Sequence, residues 1–343
     1  MSFQDFPRYP LAHLPTPLQH LKRLSEHLGG PQIWIKRDDC TGLGLGGNKV
    51  RKLEYLVADA LKHGATHLLT AGPLQSNHCR QTAAAAAKAG LHCELIIDDR
   101  LVDADHNYRT NGNILLDRLL GATFRVVAGG TDLDAELASA AEEVRALGGV
   151  PYTIPVGASA PIGALGYVNA ALELHAQADQ AGLRFDHVFH ASGSAGTQSG
   201  LLAGHVLLRS KTRVHGVNIL GGPDPVRRRV DELTRETLAL IGHSPKLLKA
   251  EDVIVHDEFV GDGFGKPTPG MLEALDLLGR QEAILLDPVH TGKAMAGLIA
   301  LVRQKAFRPD ETLLFIHTGG QPSLFAYADL WSSTPIAYQN QKD

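Results

Sequence analysis

The chain reads as an α/β protein of two domains, built on parallel sheets with helices on both faces. Three observations predict this. The length, 343 residues, exceeds what a single core usually serves. Short apolar runs alternate with helix-length periodic runs along most of the chain. Small-residue turns repeatedly follow a strand and open a helix, the arrangement of a ligand-binding parallel sheet.

Taken in order, the first strand lies in Pro31 to Arg37, on Ile33, Trp34 and Ile35. A helix over Leu53 to Leu61 ends at Gly64. Thr66 to Thr70 is a strand, Gln81 to Lys88 an alanine-rich helix closed by Gly90, and His92 to Ile97 a strand. Asn111 to Leu120 (helix), Phe124 to Val127 (strand), Asp132 to Ala146 (helix) and Tyr152 to Ile154 (strand) follow. A second series begins with a helix over Ala164 to Ala178 and a strand over His187 to His190. Next come a helix over Ser199 to Leu208, a strand over Arg213 to Leu220 and a long polar helix over Pro223 to Leu240. Gly261 to Gly270 is a loop by its glycine and proline content. Helices over Leu272 to Glu282 and Ala294 to Gln304 precede a last strand, Leu313 to Ile316.

Composition narrows the function classes. An apolar fraction of 44%, a charged fraction of 20% and a net charge of -4 suit a soluble globular protein and mark no surface for nucleic acid or an anionic membrane. No apolar run reaches the length of a membrane span, and Met1 to Pro15 lacks a signal-peptide block, so the expected location is the cytoplasm. Cys40, Cys79 and Cys93 have neither metal nor disulfide spacing, and no metal is expected.

Four loops carry candidate chemistry. Gly46-Gly47-Asn48-Lys49 places a lysine in a tight glycine turn before a helix, and a placed lysine can act as an imine-forming nucleophile. Ser76-Asn77-His78 lies between a strand and a helix, where a hydroxyl and an amide can meet a ligand; taken alone, it is an N-cap and a turn. Ser192-Gly193-Ser194-Ala195-Gly196-Thr197 lets several backbone N–H groups converge at a helix start, a phosphate cradle without the Gly-Lys-Ser/Thr of an ATP-type loop. The late loops, Asp287 to Lys293 (with His290) and His317-Thr318-Gly319-Gly320, also fall where ligands are met. A lysine, a phosphate cradle and polar contacts to a ring together suit pyridoxal 5'-phosphate.

These residues resemble the fold-type II pyridoxal-phosphate enzymes, specifically the family of 1-aminocyclopropane-1-carboxylate deaminase and D-cysteine desulfhydrase, which includes L-cysteate sulfo-lyase. The resemblance spans nearly the whole chain. Its most specific pieces are Lys36-Arg37-Asp38-Asp39, Gly46 to Glu54 and Gln75-Ser76-Asn77-His78. It implies a tryptophan synthase beta-like architecture, with residues 1–50 and 158–343 as a large cofactor-binding domain and 51–157 as a small one, in a homodimer. It implies that Lys49 carries the cofactor aldehyde and, freed, removes the substrate α-proton. Asn77 would contact the ring hydroxyl. Ser194, Ala195, Gly196 and Thr197 would hold the phosphate, and Thr318 would approach the pyridine nitrogen. Ser76 and His290 join Lys49 as catalytic residues, and Ser76, Asn77, His78, Gly157, Phe264 and His290 face the substrate.

Two positions depart from the family pattern. Phe264 and His290 stand where the deaminase and the D-cysteine enzyme present tyrosines. That argues against opening an unactivated cyclopropane ring. Trp34 to Leu43, Gly129 to Asp132 and His190 to Gln198 look closer to the cysteate branch. The expected activity is α,β-elimination from a small amino acid. D-cysteine would give pyruvate, ammonia and sulfide, and L-cysteate would give sulfite instead. The alternatives are a cofactor-holding regulatory or binding protein without turnover, and a sugar- or nucleotide-binding protein.

Overall fold

A computed structural model describes residues 3–101 and 104–331, except for the side chains of residues 223 and 224. The strands sort into two sheets. The larger contains β1 (Leu18–His20), β2 (Gln32–Lys36), β7 (His187–Ser192), β8 (Arg213–Asn218), β9 (Ile254–His256) and β10 (Thr312–Ile316). Its order is β1-β2-β10-β7-β8-β9. The smaller contains β3 (His67–Pro73), β4 (His92–Asp99), β5 (Thr123–Ala128) and β6 (Pro151–Thr153), in the order β5-β4-β3-β6. Every pair in the smaller sheet is parallel.

The larger sheet departs from the purely parallel expectation, because β1 pairs antiparallel with β2 at the edge. β1 and β9 are three residues each, too short to show a period in sequence. The helix α1 (Lys22–Leu28) also has no sequence signal, since its N-cap is Leu21 without a side-chain cap. The helix expected over residues 111–120 is two helices, α4 (His106–Thr110) and α5 (Asn113–Leu119). Gly112, at φ 61°, turns the chain between them.

Six helices begin three to five residues earlier than expected, and the shifts of α2 and α3 matter to the site. α2 spans Asn48–Lys62, so Lys49 lies in its first turn and not in the preceding loop. No side-chain cap announces this start. The free N–H groups there are taken by distant partners: Asn48 donates to the Thr318 carbonyl and Val50 to Gln81 Oε1, both at 3.0 Å. α3 spans Asn77–Ala89, capped by Ser76, whose Oγ accepts from the Cys79 N–H at 3.1 Å. The remaining helices are α6 (Leu133–Ala146), α7 (Pro161–Ala181), α8 (Gly196–Leu207), α9 (Pro223–Leu240), α10 (Pro269–Glu282), α11 (Thr291–Arg303) and α12 (Ser323–Ala326).

Leucine, valine and alanine from α7, α8 and α9 pack on one face of the larger sheet, and α10 and α11 cover the other. Ala83, Ala85 and Ala86 of α3 join Leu53 and Val57 of α2 in the core beside the smaller sheet. α2 thus packs between the two sheets and carries Lys49 to the place where their strands end.

Candidate active site

A cavity of about 280 Å³ lies at the carboxyl ends of the strands. Lys49, Ser76, Asn77, His78, Gly157, Ser194, Ala195, Thr197, Phe264, His290 and Thr318 all line it. Gly196 sits in its floor as the first residue of α8. The structure therefore brings together every site residue expected from sequence.

Lys49 is held by close backbone approach. A Cβ on Gly47 would meet the Gln81 amide at 2.5 Å, and one on Gly319 would meet Gly47 Cα at 2.8 Å. The glycines on both loops let the start of α2 lie against the Thr318 loop. Lys49 Nζ has no hydrogen bond or ion pair among the described residues. Burial is the main cause that brings its amine down to about 8; Asp287 opposes the shift and Arg80 adds to it.

The floor is built for an anion. Ala195 adopts φ 72°, which curls the backbone just ahead of α8. The Gly196 N–H meets Ser159 Oγ at 3.2 Å, and Ser159 donates to Ser194 Oγ at 2.8 Å. Asn48 Nδ2 donates to Thr197 Oγ1 at 2.9 Å, tying the start of α2 to the start of α8. A Cβ on Gly157 would strike Ser194 Oγ at 2.0 Å, so that glycine permits the close approach of its turn.

Sequence reasoning missed the cation beneath this floor. Lys52, 1% exposed, donates to the Gly157 carbonyl at 3.0 Å and has no carboxylate partner among the described residues. A Cβ on Gly196 would lie 2.9 Å from its Nζ. Burial, then the nearby Lys49, pushes the Lys52 amine well below its usual value. A buried ammonium without a counter-ion beside a small-residue helix start fits a phosphate dianion. Its signal was the helical spacing Lys49 to Lys52, which puts both amines on one face of α2.

The polar wall is preorganised. Asn113 Nδ2 donates to Asn77 Oδ1 at 2.9 Å and to the Gln75 carbonyl at 3.2 Å, fixing the Asn77 amide with its NH2 turned the other way. Only the fold joins these residues, since Asn113 is 36 positions from Asn77. Ser76 caps α3 as an acceptor and keeps its hydroxyl hydrogen for a second partner. His78 Nε2 lies 2.7 Å from Thr70 Oγ1, which itself donates to the Ile154 carbonyl. The ring therefore donates from Nε2, and its buried Nδ1 has no partner among the described residues. Burial, with Lys49 and Lys52 adding, holds His78 well below 6.5, so it is neutral.

His290 is oriented by Asp287. Its Nδ1 lies 2.8 Å from Asp287 Oδ2, which fixes the proton on Nδ1 and leaves Nε2 as the free nitrogen. Asp287 also accepts from the Thr291 N–H and hydroxyl, each at 2.6 Å. Burial alone would raise this carboxyl; His290 and the Thr291 bonds outweigh it and hold it below the usual carboxylate range. Phe264 stands edge-on to His290, with ring centroids 5.7 Å apart. Thr318 offers a hydroxyl to the cavity, and among the described residues no carboxylate lines the wall with it.

The residues fit pyridoxal phosphate: an unpaired amine for its aldehyde, a floor and a cation for its phosphate, and an amide and a hydroxyl for its ring. Comparison with known proteins agrees. The model of the pyridoxal-phosphate dependent enzyme family matches residues 9–319. A D-cysteine desulfhydrase of Salmonella newport is 47% identical over 325 residues, covering 94% of this chain and 96% of the relative. The D-cysteine desulfhydrase of Salmonella typhi matches equally. A crystal structure of an ACC deaminase homologue superposes with a TM-score of 0.87 at 37% identity, covering 96% of each chain. O-ureido-L-serine synthase shares the fold, with a TM-score of 0.66 at 16% identity over 97% of each chain.

Proposed function

We propose, from the premise that this chain belongs to the pyridoxal-phosphate dependent enzyme family, that it removes a β-substituent and the α-proton from a small amino acid. D-cysteine is the first substrate of this reading, giving pyruvate, ammonia and sulfide, as the name of its 47%-identical relatives suggests. The observation that supports it is the pair of amines on α2 without a carboxylate partner among the described residues, one in the cavity and one beneath its anion-binding floor.

When bound, the cofactor supplies an electron sink for the electrons of the Cα–H bond. The chain supplies the rest. Lys49 Nζ takes the α-proton; a lowered amine value leaves more of it neutral near neutral pH than an ordinary lysine would have. Ser76 and the Asn77 amide orient the substrate carboxylate and the ring. Lys52 and the start of α8 would hold the phosphate, and Thr318 would offer the ring nitrogen a neutral hydroxyl. With its Nδ1 proton held by Asp287, His290 would take up a proton from solvent on Nε2 and pass it to the departing sulfur. Phe264 closes the wall with an apolar edge and has no proton to give.

The same reading makes residues 51–157 the smaller domain and 1–50 with 158–343 the larger, in a cytoplasmic homodimer; size-exclusion chromatography with light scattering tests the dimer. Among the described residues no helix is long and apolar enough to cross a membrane.

The test is purified protein loaded with pyridoxal phosphate and given D-cysteine. Sulfide and pyruvate should appear in equal amounts, and Lys49→Ala should slow both by about 10²–10⁴-fold. Equal rates in the two proteins would overturn the role of Lys49, and no product in either would overturn the elimination.

A further inference from the structure

Among the described residues, Arg100 lines the cavity and has no place in the elimination reading. Arg100 follows β4 directly. The β4 residue Asp98 is in register with Pro73, which leads into the Ser76 turn. Arg100 and Pro73 both face the same cavity as Lys49. The guanidinium is held on two sides. Asp98 Oδ2 accepts from its Nε at 2.7 Å and also from Nη2. The Phe264 ring lies beneath it, 6.0 Å from Cζ to the centroid. A Cβ on Gly129 would lie 2.8 Å from Arg100 Cα, so the neighbouring turn fixes the backbone as well. Asp98 is itself buried, at 3% side-chain exposure, and the arginine is 42% exposed. The carboxylate thus anchors one edge of the fork, and Nη1 forms no hydrogen bond among the described residues.

A surface ion pair would leave such an arginine turned to bulk water. Here it lines the cavity beside Phe264, which in turn stands edge-on to His290. In the elimination reading Ser76 serves the substrate carboxylate, Asn77 the cofactor ring and Lys49 the α-proton. What remains for Arg100 is the substituent on Cβ.

Resting on the elimination reading, we infer that Arg100 is a specificity-determining residue whose free guanidinium edge receives a tetrahedral oxyanion on the substrate Cβ, a sulfonate or a phosphate ester. Guanidinium donors match such oxygens better than they match a thiol. The reaction balances for either. With a sulfonate, the Cα proton goes to Lys49, the Cβ–S bond breaks with its electron pair on sulfur, and hydrogen sulfite leaves. With a phosphate ester, the Cβ–O bond breaks and phosphate leaves. In both, the released enamine takes up water and gives pyruvate and ammonium.

The test uses cofactor-loaded protein and two probes that lack an amine and cannot react, 3-sulfopropionate and 3-mercaptopropionate, titrated by calorimetry. Arg100→Gln should weaken 3-sulfopropionate binding roughly 10- to 100-fold, the loss of a hydrogen bond to a charged group. It should move 3-mercaptopropionate by less than about threefold by the same reckoning. Arg100→Lys, which keeps the charge and loses the fork, should fall between and serves if the glutamine variant does not fold. In turnover, the ratio of kcat/KM for L-cysteate to that for D-cysteine should drop at least tenfold in Arg100→Gln. Sulfite from L-cysteate and phosphate from O-phosphoserine separate the two oxyanions. Equal losses for both probes, or none, would overturn the role of Arg100. Wild-type protein that binds 3-sulfopropionate through Arg100 but releases no product from any amino acid would instead overturn the elimination reading and leave the anion subsite standing.

Discussion

Two sets of buried cations share the start of α2, and they are treated in opposite ways. Arg51 is fully paired. It forks to both oxygens of Asp38 at 2.8–2.9 Å and to Glu173 at 2.9 Å; Glu173 also binds Lys36, and the Tyr167 hydroxyl donates to Asp38 at 2.6 Å. Lys49 and Lys52, one or two positions away on the other face, have no carboxylate partner among the described residues. Burial of an unpaired charge is costly, and a fold keeps it where something else supplies the counter-charge or the chemistry. The paired set joins the N-terminal segment, α2 and α7. In the proposed reading the unpaired set is where the cofactor would go.

The largest effect that could break this comparison is on rate. Lys49→Ala should lower kcat by about 10²–10⁴-fold, the usual weight of a positioned proton-transfer group, with little change in the unfolding midpoint. Arg51→Met should do the reverse. It leaves Asp38 and part of Glu173 uncompensated, and unfolding free energy measured with denaturant should fall by about 3–5 kcal/mol. A rate loss in Arg51→Met without destabilisation would erase the distinction between the two sets.

Lys52→Met sharpens it at smaller scale. Removing an unpaired buried ammonium should leave the cofactor-free protein as stable as before, or more so. Pyridoxal phosphate affinity, followed by absorbance titration, should weaken roughly 10- to 100-fold through the lost charge-assisted bond to phosphate. Unchanged affinity would remove Lys52 from the phosphate site.

The smallest effect is on pH. The Lys49 amine titrates at about 8 in the folded chain, below its ordinary 10.5. Between those values the unfolded chain holds the proton that the folded chain has released. The penalty for burying the charge is therefore full below about 8 and is relieved as pH rises towards 10.5. Lys293, whose buried amine donates to the Val260 and Gly263 carbonyls under the Phe264 loop, is lowered to about 8 by burial and follows the same sign. Imine formation with added cofactor should accelerate up to about pH 8 and then level off. Continued acceleration to pH 10.5 would show an ordinary lysine.

Much of this was legible in the sequence, and the gaps have physical causes. The glycine turns, the serine cap and the cradle are local, so their chemistry is written in consecutive residues. The start of α2 was not, because Thr318 and Gln81 replace a side-chain cap from across the fold. Asn113, which orients Asn77, and Arg100, which meets the cavity only through sheet register, were invisible for the same reason. Lys52 lies in the Gly46 to Glu54 motif at helical spacing from Lys49, but that it lacks the carboxylate partners Arg51 has is decided only by the fold.

The most direct measurement is borohydride reduction of the cofactor-loaded protein followed by peptide mass spectrometry. The pyridoxyl mass should sit on Lys49 alone, with Lys52 unmodified three residues further along α2. Label on Lys52, or on neither amine, would contradict the assignment of the aldehyde to one lysine and the phosphate to the other.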